Sequence, residues 1–143
     1  MALKMNEPIG SAALGPFFAR MGIGAYFLLA GLSKLQMLSA FLQQIKTFGV
    51  LPENTASLYG VLLPYIEVVI GGCFILGLWT TLVGFMASAV LISFVCAFGL
   101  FPGTSNIFNK DLVLLGTVLG LLYTGPGAYS LDNVRKAPAP SGG

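Results

Sequence analysis

The chain has 143 residues, of which 56% are hydrophobic and 8% charged, with a net charge of +2 and no histidine. Ordinary soluble domains carry roughly 25% charged residues, so a small water-dissolved protein is excluded and hydrocarbon is the solvent that fits. Lys4, Arg20, Lys34, Lys46, Lys110, Arg135 and Lys136 are scattered and offer nucleic acid no basic patch, and the missing imidazole excludes His-ligated haem, chlorophyll or zinc within the chain.

A membrane-crossing helix needs about 20 mostly apolar residues. The first such stretch runs from Leu14 to Ser33, with Pro16 in its opening turn, where a missing N–H costs little. It is too long for the apolar core of a secretory signal and reads as a retained span. From Leu35 to Gly49, apolar residues at Leu35, Leu38, Leu42, Ile45 and Phe48 alternate with glutamine, lysine and threonine, the spacing of a helix lying in the membrane interface. A second span is predicted over Ser57–Leu78 and a third over Thr81–Leu100, joined by a tight turn at Trp79-Thr80-Thr81. Phe101–Asn106 is a turn-rich loop. The last span, Asp111–Thr124, is short for a straight crossing and extends backward through Ile107 and Phe108 if it crosses untilted.

The expected architecture is therefore all-α: an integral membrane four-helix bundle with an interfacial amphipathic helix between spans one and two. Residues 1–13 form an N-terminal segment, 14–132 the four-helix transmembrane domain and 133–143 a flexible tail. Four crossings put both termini on one side. Lys4, Arg135 and Lys136 then face Lys34, Lys46 and Lys110 across the bilayer, and the adjacent Arg135-Lys136 pair favours cytoplasmic termini.

An ion at the bilayer centre costs about 2.5–3.5 kcal/mol on insertion scales, so each should face protein or water. Arg20, Gly24, Phe27, Gly31 and Lys34 share one face of the first span, and Gly60, Pro64, Glu67 and Gly71 share one face of the second. At about 1.5 Å per residue, Arg20 and Glu67 enter from opposite surfaces with roughly 7 Å of vertical offset, which two long side chains span. The expected polar intramembrane cluster is Arg20, Lys34, Glu67 and Asp111, with Arg20–Glu67 as its central pair. One reading makes that pair a packing device that fixes helix register. The other makes it part of a proton path or a contact for a quinone head group. Pro64, three residues before Glu67, frees a backbone carbonyl and favours a local kink.

Gly24, Gly31, Gly60 and Gly71 are expected to admit close helix contact, as are Gly116 and Gly120 of a GxxxG in the last span, against another span or another subunit. Phe17, Phe18, Phe85, Phe94, Phe98 and Phe101 are expected against lipid or neighbouring helices. Cys73 and Cys96 form no CxxC pair and no metal-ligand spacing, and read as buried free thiols. No metal site is expected.

Several pieces in order carry a family resemblance. They are Arg20 with Gly24, Phe27 and Ala30–Lys34, then Phe48–Pro52, Leu63–Glu67 with Gly71, Leu76–Thr80, Lys110–Leu112 and Gly125–Asp132. Together they resemble the DoxX family of small bacterial membrane proteins over nearly the whole chain. That resemblance implies a four-helix bundle of the inner membrane associated with redox systems, relatives including a subunit of thiosulfate:quinone oxidoreductase. The branch concerned with methylamine dehydrogenase maturation carries a CGCFG element. The nearest stretch here, Val95-Cys96-Ala97-Phe98-Gly99, lacks the second cysteine that dithiol exchange needs.

The function expected on these grounds is an accessory subunit of a membrane electron-transfer complex, structural or shaping a quinone site. It would contact lipid, other membrane subunits or further copies of itself, with quinone or lipid the only small molecules implied. The alternatives are a quinone- or thiol-linked oxidoreductase subunit using Glu67 and Cys96, and a small membrane carrier.

Overall fold

The computed structural model describes residues 9–99 and 109–136. Among these the chain forms six helices: α1 Leu14–Gln36, α2 Leu38–Phe48, α3 Glu53–Leu76, α4 Thr80–Phe98, α5 Lys110–Thr124 and α6 Leu131–Lys136. The described residues contain no strand. Lys4, the Phe101–Asn106 loop, Ile107, Phe108 and the tail from residue 137 lie outside the described residues, as does the Phe98 side chain.

Three helices, Leu14–Gln36, Glu53–Leu76 and Thr80–Ala97, are long and apolar enough to cross a membrane. The fourth expected crossing is the 15-residue α5, about 22 Å long and shorter than a hydrocarbon core of roughly 30 Å. The most extensive contact is α1 on α3; α3 also packs on α4, α4 on α5 and α5 on α1, so these four close a ring. Their shared core is Ile23, Phe27, Ile70, Phe74, Val83, Ala87, Leu91, Val118 and Leu121. Meanwhile Phe18, Leu29, Val69, Leu82, Phe85 and Val113 are exposed on the outside, whereas Arg20 and Glu67 are fully buried. Ions within and large apolar side chains without is the arrangement that hydrocarbon surroundings demand.

The register of α1 against α3 is set by glycine. A Cβ on Gly71 would strike the backbone of Leu28 and the carbonyl of Gly24, and one on Gly31 would lie 2.7 Å from the Pro64 carbonyl oxygen. Gly71 thus sits between Gly24 and Leu28, and Gly31 between Pro64 and Val68, in an antiparallel pair whose backbones nearly touch. α2 turns back at Met37 and lies along the N-terminal half of α3, where Gly60 leaves room for Leu42 and Ile45. α3 ends on Gly77 in the left-handed conformation (φ 67°), and Trp79 (φ 46°) completes the turn into α4.

Candidate functional site

The α1–α3 register decides which cation meets Glu67. Glu67 is thus level with about Ala30, so Arg20 stands about ten residues away along α1, about 15 Å, and Lys34 about four residues away, about 6 Å. Helical side chains lean toward the N-terminus of their own helix. On antiparallel helices Lys34 and Glu67 therefore lean toward each other, while Arg20 leans away. The Lys34 Nζ donates to both carboxylate oxygens of Glu67, at 2.6 and 2.7 Å. The expected Arg20–Glu67 pair is thus replaced by Lys34–Glu67, because the lean of the side chains outweighs the small vertical offset. The rings of Phe94 and Phe41 also face the ammonium, at 5.1 and 5.6 Å.

Asp111 joins from α5, nearby but through other partners. Its Oδ1 accepts from the Tyr26 hydroxyl and from Lys110 Nζ, both at 3.3 Å. Asn109 caps α5 by accepting from the Asp111 N–H at 2.9 Å, and its amide donates to the Gly99 carbonyl at 2.8 Å. This side-chain bridge holds the start of α5 to the end of α4.

Arg20 works at the opposite end of the bundle. Its NH2 donates to the carbonyls of Tyr129 (3.0 Å) and Ala128 (3.3 Å), while Nε and NH1 are buried with no hydrogen-bond partner among the described residues. Phe17 lies beneath the guanidinium and meets the Tyr129 ring edge-on. Beside it, Asp132 accepts from the N–H groups of Trp79 and Thr80 and from the Thr80 hydroxyl at 2.8–2.9 Å, and its own N–H donates to Gly77 O. Partial burial raises the Asp132 pKa, but the Thr80 and Trp79 donors and the Lys136 charge outweigh it and hold the group below its ordinary value. Arg20 and Asp132 together latch the segment after α5 onto the ends of α1, α3 and α4. α6 continues this latch to Lys136, across residues assigned to the tail from sequence.

The structure thus splits the expected four-residue cluster: Lys34 pairs with Glu67, Asp111 sits with Tyr26 and Lys110, and Arg20 is apart. Gly24, Gly31, Gly60 and Gly71 line close helix contacts, whereas a Cβ on Gly116 or Gly120 would meet nothing within 4 Å. The GxxxG of α5 faces outward, and no helix among the described residues packs on it. Phe18 and Phe85 are exposed as expected of lipid-facing rings, and Phe94 is turned inward. Cys73 is half-buried and Cys96 exposed, which corrects the expectation of two buried thiols. Cys73 lies near the C-terminal end of α3 and Cys96 near the C-terminal end of the antiparallel α4, at opposite ends of the bundle, so no disulfide joins them within one chain.

An apolar cavity of about 350 Å³ lies between α2, α3 and α4, lined among others by Phe41, Phe48, Tyr59, Leu63, Phe94 and Ala97. Two of its lining rings, Phe41 and Phe94, are the ones that face the Lys34 ammonium. The Tyr59 and Ser93 hydroxyls, 2.6 Å apart, bridge α3 to α4 in its wall. Tyr59, Leu63 and Glu67 recur every four residues on one face of α3, a spacing that made Tyr59 findable. Tyr26 gave no comparable signal, and Lys110 and Asp132 stood out only as parts of the motif pieces at the two ends of the last span. Among the described residues no group of three or more Cys, Asp and Glu side chains is placed to hold a metal ion.

Apolar helices wrapped around a buried ion pair and a buried arginine define a multi-pass helical membrane protein. Residues 12–109, more than half of the chain, match the family model described as Methylamine utilisation protein MauE, and the chain belongs to that family. The match stops at the cap of α5, so α5 and α6 lie beyond it. No curated protein and no solved structure matches. The DoxX resemblance is corrected by this finding. The segments that suggested it are short runs of glycine, proline and one charge, which many small bundles need for close packing and buried ions, so their order does not separate the two families.

Proposed function

We propose that the chain is an accessory protein of a methylamine-utilisation type redox system in the bacterial inner membrane, crossing four times with α5 as the fourth span and both termini cytoplasmic. The family name supplies the system, and its members' role as utilisation proteins supports an accessory place beside other membrane subunits. The observation that carries the reading is the Lys34–Glu67 pair. One ammonium satisfies both oxygens of a fully buried carboxylate, which suits a fixed joint between helices better than a proton carrier. The separation of Cys73 from Cys96 weighs in the same direction, since dithiol exchange needs two sulfurs within reach. The cavity beside the joint gives the protein a place to shape a quinone or lipid site.

The test is affinity isolation of the tagged chain from native membranes in mild detergent. Co-isolation of a redox enzyme or its maturation proteins, with no turnover by the purified chain alone, is the expected result. Quinone or thiol turnover by the lone chain would overturn it.

A further inference from the structure

The hydrogen bonds around Tyr59 fix what the cavity offers a guest. Ser93 has one hydroxyl proton, and its Oγ donates it to the Val90 carbonyl at 2.7 Å. In the 2.6 Å contact between Tyr59 and Ser93, the tyrosine is therefore the donor. Both protons are committed, and Tyr59 Oη keeps free lone pairs. The bridge presents an acceptor. Thr55, one turn earlier on the same face of α3, lines the cavity beside it.

The rest of the wall is mostly apolar and rich in rings, with Phe41 and Phe48 from α2, Leu63 from α3 and Phe94 and Ala97 from α4. The volume of about 350 Å³ falls at the lower end of the roughly 300–1,000 Å³ typical of small-molecule sites. Tyr59 and Ser93 also line a second groove of about 380 Å³ on the outer face of α3 and α4, with Leu58, Leu62, Ile66 and Ala89. The bridge is thus shared by the cavity and this outer groove, and the cavity's own rim includes the exposed Phe48, Val50, Leu51 and Cys96, so it is open to a guest from the surrounding membrane.

We propose that the cavity between α2, α3 and α4 binds a membrane-dissolved amphiphile whose head is a hydroxylated aromatic ring, of the phenol or hydroquinone class, donating its O–H to Tyr59 Oη. This rests on the reading of the cavity as a quinone or lipid site and narrows that guest to a head that carries a hydroxyl, as the reduced form of a quinone does. A head with only carbonyl oxygens brings lone pairs against lone pairs at Tyr59, and a plain acyl chain leaves that acceptor unused.

The experiment measures equilibrium binding of 4-butylphenol and of its methyl ether, 4-butylanisole, to the purified chain in lipid nanodiscs, with uptake by empty nanodiscs subtracted. The phenol is expected to bind saturably and about tenfold more tightly than the ether, the value of one net hydrogen bond. Tyr59→Phe keeps the ring and should abolish that preference. Ala97→Trp fills the cavity and should remove saturable binding of both probes, with circular dichroism confirming intact helices. Equal binding of the two probes to the unaltered chain, absence of saturable binding, or a phenol preference that survives Tyr59→Phe would overturn the proposal. The Tyr59→Phe comparison decides the matter even if Ala97→Trp fails to fold. Co-isolation with a redox complex is read separately, so failure here leaves the accessory role standing.

Discussion

Lys34 and Glu67 form a two-point ion pair across the α1–α3 contact, with the ammonium 2.6 and 2.7 Å from the two carboxylate oxygens. Removing one partner of such a pair leaves an uncompensated charge among apolar side chains, at a cost of about 3–5 kcal/mol. Lys34→Met alone should therefore destabilise the protein by about that much. Lys34→Met combined with Glu67→Leu should recover most of the loss. Unfolding in mixed micelles, as a double-mutant cycle, measures the coupling. A cycle in which Arg20→Met rescues Glu67 variants would contradict the pairing.

Glycines of identical chemistry should behave differently according to what faces them. Gly71→Ala drives a methyl into the backbone of Leu28, and Gly24→Ala places one about 3.0 Å from the Gly71 carbonyl and the Ile75 N–H. Each should cost about 1–3 kcal/mol through overpacking. Gly22→Ala and Gly72→Ala, on the same helices with open space beside them, should change stability by less than about 0.5 kcal/mol. Unfolding midpoints of the four variants in one detergent make the comparison.

Arg20 holds the Ala128–Tyr129 turn through one guanidinium nitrogen, and Ser130 beside it is buried. Arg20→Met should release this segment while leaving the Lys34–Glu67 end intact. A Ser130→Cys reporter should stay protected from maleimide in the parent chain and react about tenfold faster or more once Arg20 is replaced. Equal labelling rates in both backgrounds would show that the latch is held by other contacts.

Asp132 supplies a pH dependence with a definite sign. Its folded pKa lies below the ordinary carboxylate value, so the ionised form is the one that binds the Trp79 and Thr80 N–H groups. The stabilisation is complete above the ordinary carboxylate range and disappears as pH falls through the lowered folded value. Asp132→Asn should lower the unfolding midpoint at neutral pH, and the difference from the parent should shrink toward zero in acid. A constant difference across that range would assign the effect to something other than ionisation.

Gly116→Leu and Gly120→Leu should leave the stability of the isolated chain unchanged, since both positions open outward on α5. If a partner helix docks there, the same substitutions should reduce self-association or co-isolation instead, as read by crosslinking in membranes.

The helices were largely legible. Apolar runs located α1, α3 and α4 to within a few residues, and alternating polarity located α2, because lipid and interface impose composition directly on each segment. The stripes of Arg20–Gly24–Gly31–Lys34 and Gly60–Pro64–Glu67–Gly71 were legible too, since a charge in a span must turn inward and small residues must accompany close contact. The choice of partner was not. Rise along the helix placed Arg20 and Lys34 both within range of Glu67, and a one-dimensional pattern carries neither the α1–α3 register nor the direction in which side chains lean.

By itself, then, the order of residues determined that this protein lives in a membrane, which segments become helices and which of their faces are buried, because those follow from local hydrophobicity and periodicity. Tertiary structure alone decided that Lys34 takes Glu67, that Arg20 and Asp132 fasten the far end, and that Tyr59 and Ser93 meet across a cavity. Each of those depends on distances between residues 33 to 109 positions apart, set by how backbones interlock at glycine.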